Sequence, residues 1–440
     1  MDSLKERLEK AIPGGAHTYS RGLEIYPENV PALFTKSKGA YTWSSDNKKF
    51  LDYSMALRSV ILGYANDEVN SEVIKAIDAG NTFSRPSKIE LDAAEKFIQT
   101  IPGAEMVKFA KNGSNVTTGA IKLARAATGR SLVLYPKEQP FFSFDDWFIA
   151  NTKMNYGTIN DGFSKQFEYG NIESVRDLIN EHKDKVACII LEPSTHINPC
   201  SCQFKDWLPK DRCCGKPNFL SSLRKLCDEN GIVLIFDEMI TGARWRNDGA
   251  QSYFNVIPDL STFGKAIANG YSIAALCGKR EIMEYGGIRS KEKPRTFLLS
   301  STHGAETTSL AALMKTTEII ERDKVCAHIW DYNTELITEL NLLFQRNKVE
   351  ENIWIEGNAY APNILYKDGA GLTANQFKYI FLEKLISRGI LMPWIATSFS
   401  HNEKDLSYTV QMVEEVLSEI ERGIFELPLE DLKAIFRFKN

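Results

Sequence analysis

The chain has 440 residues and a mass of 49.7 kDa, enough for one large domain with a smaller one, or for three small ones, and too much for a mini-protein held by staples. Hydrophobic residues at 43% and charged residues at 25% exclude a disordered chain and predict a substantial core. Lysines and arginines number 53 against 57 aspartates and glutamates, a net charge of −4; no global positive field draws in nucleic acid or an anionic membrane, so small-molecule chemistry leads.

The opening run MDSLKERLEK has a charged helical pattern without an apolar leader core, and the longest apolar runs, such as Val186 to Leu191, are too short to span a bilayer. A cytoplasmic protein is expected. Residues 1–60 contain Pro13-Gly14-Gly15 and then GAYTWSSDNKKFLDYS, with a hairpin-like centre. This segment is too short to fold alone and is expected to complete a smaller domain and an oligomer interface. Across 61–327, helix-period segments alternate with the β-rich runs SLVLY (131–135), VACIIL (186–191), IVLIF (232–236) and SIAALCG (272–278). That alternation predicts an α/β domain around a mostly parallel sheet, with ligands beyond the carboxyl ends of its strands. Residues 328–440 change to an α+β mixture that closes on a helix near 409–422, where Val410, Val413, Leu417 and Ile420 form an apolar face.

Three short motifs carry chemistry. Lys111-Asn112-Gly113-Ser114-Asn115 stands directly before a helical pattern at 116–128, so backbone N–H groups and a hydroxyl face outward at a helix start, an arrangement suited to phosphate. Asp237 and Glu238 end the apolar strand at the sheet's functional edge. Lys265 lies in the small-residue stretch LSTFGKAIANGYSIAAL, where desolvation is expected to lower its pKa and free its amine for a Schiff base. Alone, each has an ordinary structural use as a cap, an ion pair or a surface lysine. In order, they are the phosphate anchor, the acid that keeps a pyridine nitrogen protonated and the amine that a pyridoxal phosphate enzyme needs.

The segments Asp237-Glu238-Met239-Ile240-Thr241-Gly242-Ala243-Arg244, Pro258-Asp259-Leu260 and Gly264-Lys265 resemble the class III pyridoxal-phosphate aminotransferases. PGGAHTYSR (13–21), AIKLARAATGR (120–130), Glu192-Pro193 and SFSHNEKDL draw the resemblance closest to the glutamate-1-semialdehyde aminomutase group, over nearly the whole chain. It implies the aspartate aminotransferase-like fold type I, with 61–327 as the cofactor-binding domain. It further implies that Lys265 carries pyridoxal 5'-phosphate as a Schiff base and that Asp237 pairs with the pyridine nitrogen. Gly113 and Ser114 then hold the phosphate, Phe141 stacks on the ring and Met239 packs on the opposite face. Thr302 matches a threonine that reaches the phosphate of a neighbouring subunit, which makes the working unit a homodimer with shared sites. Arg21 aligns with an arginine that holds a substrate carboxylate.

The sequence departs from the aminomutase pattern at two places. Ser-Trp-Gly-Pro becomes Ala56-Leu57-Arg58-Ser59, replacing an aromatic and bringing Arg58 toward substrate, and Pro393 to Phe399 lacks the usual acid. Both favour a transaminase that moves an amino group from an amino acid donor to another carbonyl, such as a sugar or glycan-precursor aldehyde or ketone. An intramolecular amino shift and a non-catalytic interaction protein on the same fold are the alternatives. The inserted segment 197–219 holds Cys200, Cys202, Cys213 and Cys214 without Cys-x2-Cys spacing, so a loop of thiols is expected rather than a metal site. His196 and His303 read as pocket residues rather than ligands.

Overall fold

A computed structural model describes residues 3–22, 25–139, 141–195, 197–200, 217–287, 295–369 and 371–427. The chain forms two compact units, residues 67–326 and residues 1–66 together with 327–440. No helix among the described residues is long and apolar enough to cross a membrane.

The chain opens on the helix Leu4–Ala11, started by a reciprocal Ser3–Glu6 capping box. The antiparallel strands β1 (Phe34–Lys38), β2 (Tyr41–Ser44) and β3 (Lys49–Asp52) follow, with β2 and β3 forming a hairpin within GAYTWSSDNKKFLDYS.

Among the described residues, the unit 67–326 holds seven strands: β4 (Met106–Ala110), β5 (Leu132–Pro136), β6 (Ser164–Phe167), β7 (Val186–Leu191), β8 (Val233–Asp237), β9 (Leu260–Phe263) and β10 (Ala274–Gly278). Their order is β4-β10-β9-β8-β7-β5-β6. The contiguous run from β9 to β6 is parallel, and β10 is antiparallel to both of its neighbours. Every residue of β5, β7, β8, β9 and β10 is buried. The continuous apolar runs of β5, β7 and β10 are what a sheet covered on both sides requires.

The helix Gly113–Thr128 crosses from β4 to β5 and packs Val116, Ala120, Ile121, Leu123 and Ala124 on the sheet. The Asn112 side chain caps it by accepting from the Asn115 N–H at 3.0 Å, and Gly129 ends it at φ 67. It starts at Gly113 rather than 116, because the cap lies before the Gly-Ser pair.

The other unit continues with the hairpin β11 (Ile353–Glu356) and β12 (Asn363–Tyr366), and with β13 (Ile390–Leu391), which pairs parallel to β3. Its last described helix is Glu403–Glu421. Asn402 and Asp405 form its capping box, and Val413, Leu417 and Ile420 are buried in that unit's core beside Leu336, Phe377 and Phe381.

Candidate active site

The carboxyl end of β8 delivers two successive carboxylates, and strand alternation sends them to opposite sides. Glu238 is fully buried and structural. Its oxygens accept from the Ala250 and Gln251 N–H groups at 2.9 Å each, from the Gln251 side-chain amide at 3.4 Å and from the Thr241 hydroxyl. It holds the start of the helix Gly249–Phe254 in place. Burial pushes its carboxyl above the usual range.

Asp237 is 3% exposed and is engaged through one oxygen only. Oδ1 accepts from the Met239 N–H at 3.0 Å and from the Thr262 hydroxyl at 3.2 Å, and no described residue donates to Oδ2. Burial pushes the Asp237 carboxyl up to about 6, against the lowering effect of the Met239 N–H, the Lys265 charge and the Thr262 hydroxyl.

Lys265 begins the turn past β9 at φ 48, a left-handed conformation that costs a β-carbon about 1–2 kcal/mol. Ala266, Ile267 and Ala268 are buried, whereas Lys265 itself is exposed. The desolvated lysine expected from the apolar stretch is therefore not what the fold presents. The residue lies beyond the strand end, and only its neighbours enter the core.

The Met239 side chain joins the three motifs. A β-carbon on Gly264, next to Lys265, would stand 2.6 Å from its sulfur, and one on Gly113 would stand 3.2 Å from the same atom. Strand-end acid, lysine turn and helix start thus converge on one thioether.

At the helix start Ser114 is 6% exposed, and its hydroxyl oxygen accepts from the Phe144 N–H at 3.2 Å. The Thr117 hydroxyl donates to the Phe142 carbonyl at 2.9 Å. These bonds pin residues 142–144 to the first turn. Phe142 is buried against Tyr135, Trp147 and Phe148, while the adjacent Phe141 is 52% exposed, its ring centroid 5.9 Å from that of Phe148 in an edge-to-face contact. Of the two phenylalanines, only Phe141 is left to meet a ligand. Lys111, just before the turn, is bound to the Ser272 carbonyl, Glu306 and Ser309, so its charge serves the scaffold.

Thr302 is exposed in the turn that precedes the helix Thr307–Arg322. Arg21 and Arg58 belong to the other unit. Arg58 closes the run Met55–Arg58, four successive non-glycine residues at φ 39, 47, 61 and 68. The run is held by the buried Asp52, which accepts from the Ser54 N–H at 2.7 Å, the Ser54 hydroxyl at 2.6 Å and the Tyr64 hydroxyl at 2.7 Å. Burial raises the Asp52 carboxyl above its ordinary value. Four left-handed residues in a row are strain of the kind concentrated at functional sites.

No group of three or more histidine, cysteine, aspartate or glutamate side chains able to hold a metal occurs among the described residues. Cys200 is buried. Cys202, Cys213, Cys214 and His196 lie outside the described residues, and His303 is exposed. Sequence reasoning missed Thr262 and the structural use of Glu238. The signal for Thr262 is its place on the strand paired with β8, in register with Asp237.

Together these groups can bind an anion at the helix start, hold a proton on a ring nitrogen at Asp237 Oδ2 and present an amine to an aldehyde carbon. A family model described as aminotransferase class-III matches residues 25–392. A 3-aminobutyryl-CoA aminotransferase of Cloacimonas acidaminovorans is 31% identical over 425 residues, covering 96% of this chain and 97% of that protein. A glutamate-1-semialdehyde 2,1-aminomutase of Chlorobaculum parvum is 30% identical over 433 residues, 93% of this chain and 95% of that protein. Among solved structures, the FumI protein of Sphingopyxis sp. MTA144 in its pyridoxal phosphate internal aldimine form has a TM-score of 0.83 at 26% identity, over 95% of this chain and 96% of that one.

Proposed function

Because the chain belongs to the class III aminotransferases, enzymes whose cofactor is pyridoxal phosphate, we propose that it moves an amino group from an amino acid donor to the carbonyl of a separate aldehyde or ketone. The observation that carries this reading is a buried carboxylate with an unengaged oxygen, a lysine turn and a helix start gathered around Met239. The residues present fit the cofactor. Asp237 Oδ2 would meet the pyridine nitrogen, Gly113 and Ser114 the phosphate and Lys265 the aldehyde carbon, with Met239 and Phe141 against the ring.

When bound, pyridoxal phosphate supplies a sink for the electron pair left on carbon as the C–H bond beside the amine breaks. Asp237 keeps the ring nitrogen protonated, which that sink requires. The Lys265 amine takes the proton from the substrate carbon and returns one at the next step, as base and then acid. Arg21 and Arg58 offer cationic contacts for the substrate. Thr302, exposed in its turn, is suited to a phosphate held by a second copy of the chain, in a homodimer with shared sites.

Ala56-Leu57-Arg58-Ser59 in place of an aromatic, and the absence of an acid from Pro393 to Phe399, favour a polar carbonyl such as a sugar or glycan precursor over internal isomerisation. The relative named for a CoA-linked aminotransferase supports transfer between two molecules. The relatives named as aminomutases keep the intramolecular shift as the second reading. Single-turnover spectra with a panel of amino acid donors separate the two. Conversion of the bound cofactor to its amine form by a donor, with release of a keto acid, supports the first. Product formed in one turnover without any external donor overturns it.

A further inference from the structure

The pairing of β8 with β9 sets Asp237 opposite Thr262. The threonine is fully buried, and its hydroxyl donates to Asp237 Oδ1 at 3.2 Å. The Met239 N–H donates to the same oxygen at 3.0 Å from the strand's own continuation. A single donor leaves a carboxylate able to swing about its Cβ–Cγ bond. Two donors approaching one oxygen from different elements fix both its rotation and its plane.

We propose that Thr262 is a positioning residue: with the Met239 N–H it ties down one oxygen of Asp237, and so fixes the other as the acceptor for the proton on the cofactor's ring nitrogen. This rests on the reading of the site as a pyridoxal phosphate site. The arrangement answers a specific conflict. Burial disfavours the charge on Asp237, and the charged group that acts on it is Lys265, whose amine must also serve the substrate. A neutral hydroxyl from a buried strand helps keep Asp237 ionised without adding a charge that would compete with the ring nitrogen. The hydroxyl stands three residues before Lys265 on the strand that leads into the lysine turn, so one short segment supplies both the amine and the group that orients the acid.

The test uses the full chain with Thr262→Val, which keeps shape and loses the donor, and Thr262→Ser, which keeps the donor. Infrared difference spectra of the cofactor-free protein report the protonated Asp237 carboxyl, identified by its loss in Asp237→Asn. In Thr262→Val the midpoint should rise by about one pH unit, the effect of removing one hydrogen bond to a buried carboxylate, and Thr262→Ser should restore it. In the loaded enzyme, Thr262→Val should lower kcat by about tenfold or more with little change in KM, again rescued by serine. An unmoved midpoint, or a serine variant that behaves like valine, overturns the proposal.

If Thr262→Val does not fold, Thr262→Ala removes the same hydroxyl and carries the same readings. Failure of both to fold means that the hydroxyl serves folding rather than position, and also overturns the proposal. A wild-type chain that takes up no pyridoxal phosphate overturns the functional reading. Uptake together with an unmoved midpoint overturns only the role of Thr262.

Discussion

A β-carbon on Gly264 would stand 2.6 Å from the sulfur of Met239, closer than a carbon and a sulfur approach without one of them moving. The lysine turn can reach the strand-end acid because the residue before Lys265 has no side chain. Gly264→Ala should displace the methionine and loosen the site. We expect cofactor affinity to fall about tenfold, read by absorbance titration, with the melting temperature nearly unchanged because a thioether is pliable. Adding Met239→Val should recover most of the loss. Equal affinities for Gly264→Ala and wild type would show that the contact is idle.

Asp237 ties function to pH-dependent stability. The folded chain holds its proton to about pH 6, whereas an ordinary aspartate releases it near 3.8. Between those values the native state binds more protons than the unfolded one, so the stability this group contributes below pH 4 is lost as pH rises through 6. Asp237→Asn suffers no such loss. Without cofactor, the variant should gain on wild type by about 3 kcal/mol between pH 4 and pH 7, seen as a melting-temperature difference that grows with pH. With cofactor, its turnover should fall by about a hundredfold or more, since an amide does not stabilise a ring nitrogen's positive charge. A difference in melting temperature that stays flat with pH contradicts the burial argument.

Its neighbour Glu238 should behave in the opposite way. Glu238→Ala leaves the Ala250 and Gln251 N–H groups without their acceptor in a buried site and should cost about 3–5 kcal/mol. The surviving folded fraction should keep its cofactor spectrum. Thermal unfolding beside the visible absorbance checks both halves, and a stable variant that has lost the spectrum would place Glu238 in the chemistry.

Much of this site was legible from residue order. Asp237, Lys265 and the Asn112-Gly113-Ser114 turn each end or begin a regular element, and apolar runs mark where those elements stop. The central parallel strands β5, β7 and β8 were legible for the same reason, since burial on both faces leaves no polar alternation, whereas the polar β6 and β9 were not read and the apolar run of β10 proved antiparallel to its neighbours. What could not be read depends on contacts between segments far apart in the chain. Asp237 and Glu238 look alike in sequence, and only the return of residues 249–251 to Glu238 separates scaffold from site. Thr262 acts on Asp237 through strand register, and Lys265 is exposed although its neighbours are apolar. The left-handed run at Met55–Arg58 contains no glycine to announce it, being held by the buried Asp52.

Sharing of sites between two copies has a direct test in mixed subunits. Lys265→Ala and Thr302→Val should each be poorly active alone. In a mixed dimer, one site carries both lesions and the other neither if Thr302 serves the partner's phosphate, so mixing should regenerate activity. No gain over the average of the parents would assign each site to a single chain.

In the proposed reaction Lys265 is the amine that carries the cofactor. Borohydride reduction of the protein loaded with pyridoxal phosphate, followed by peptide mass mapping, reads this directly. The reduced cofactor should appear as a stable secondary amine on the peptide that contains Lys265, and Lys265→Ala should still take up the cofactor but yield no adduct. An adduct on a different lysine, or none in a protein that has bound the cofactor, would contradict the assignment.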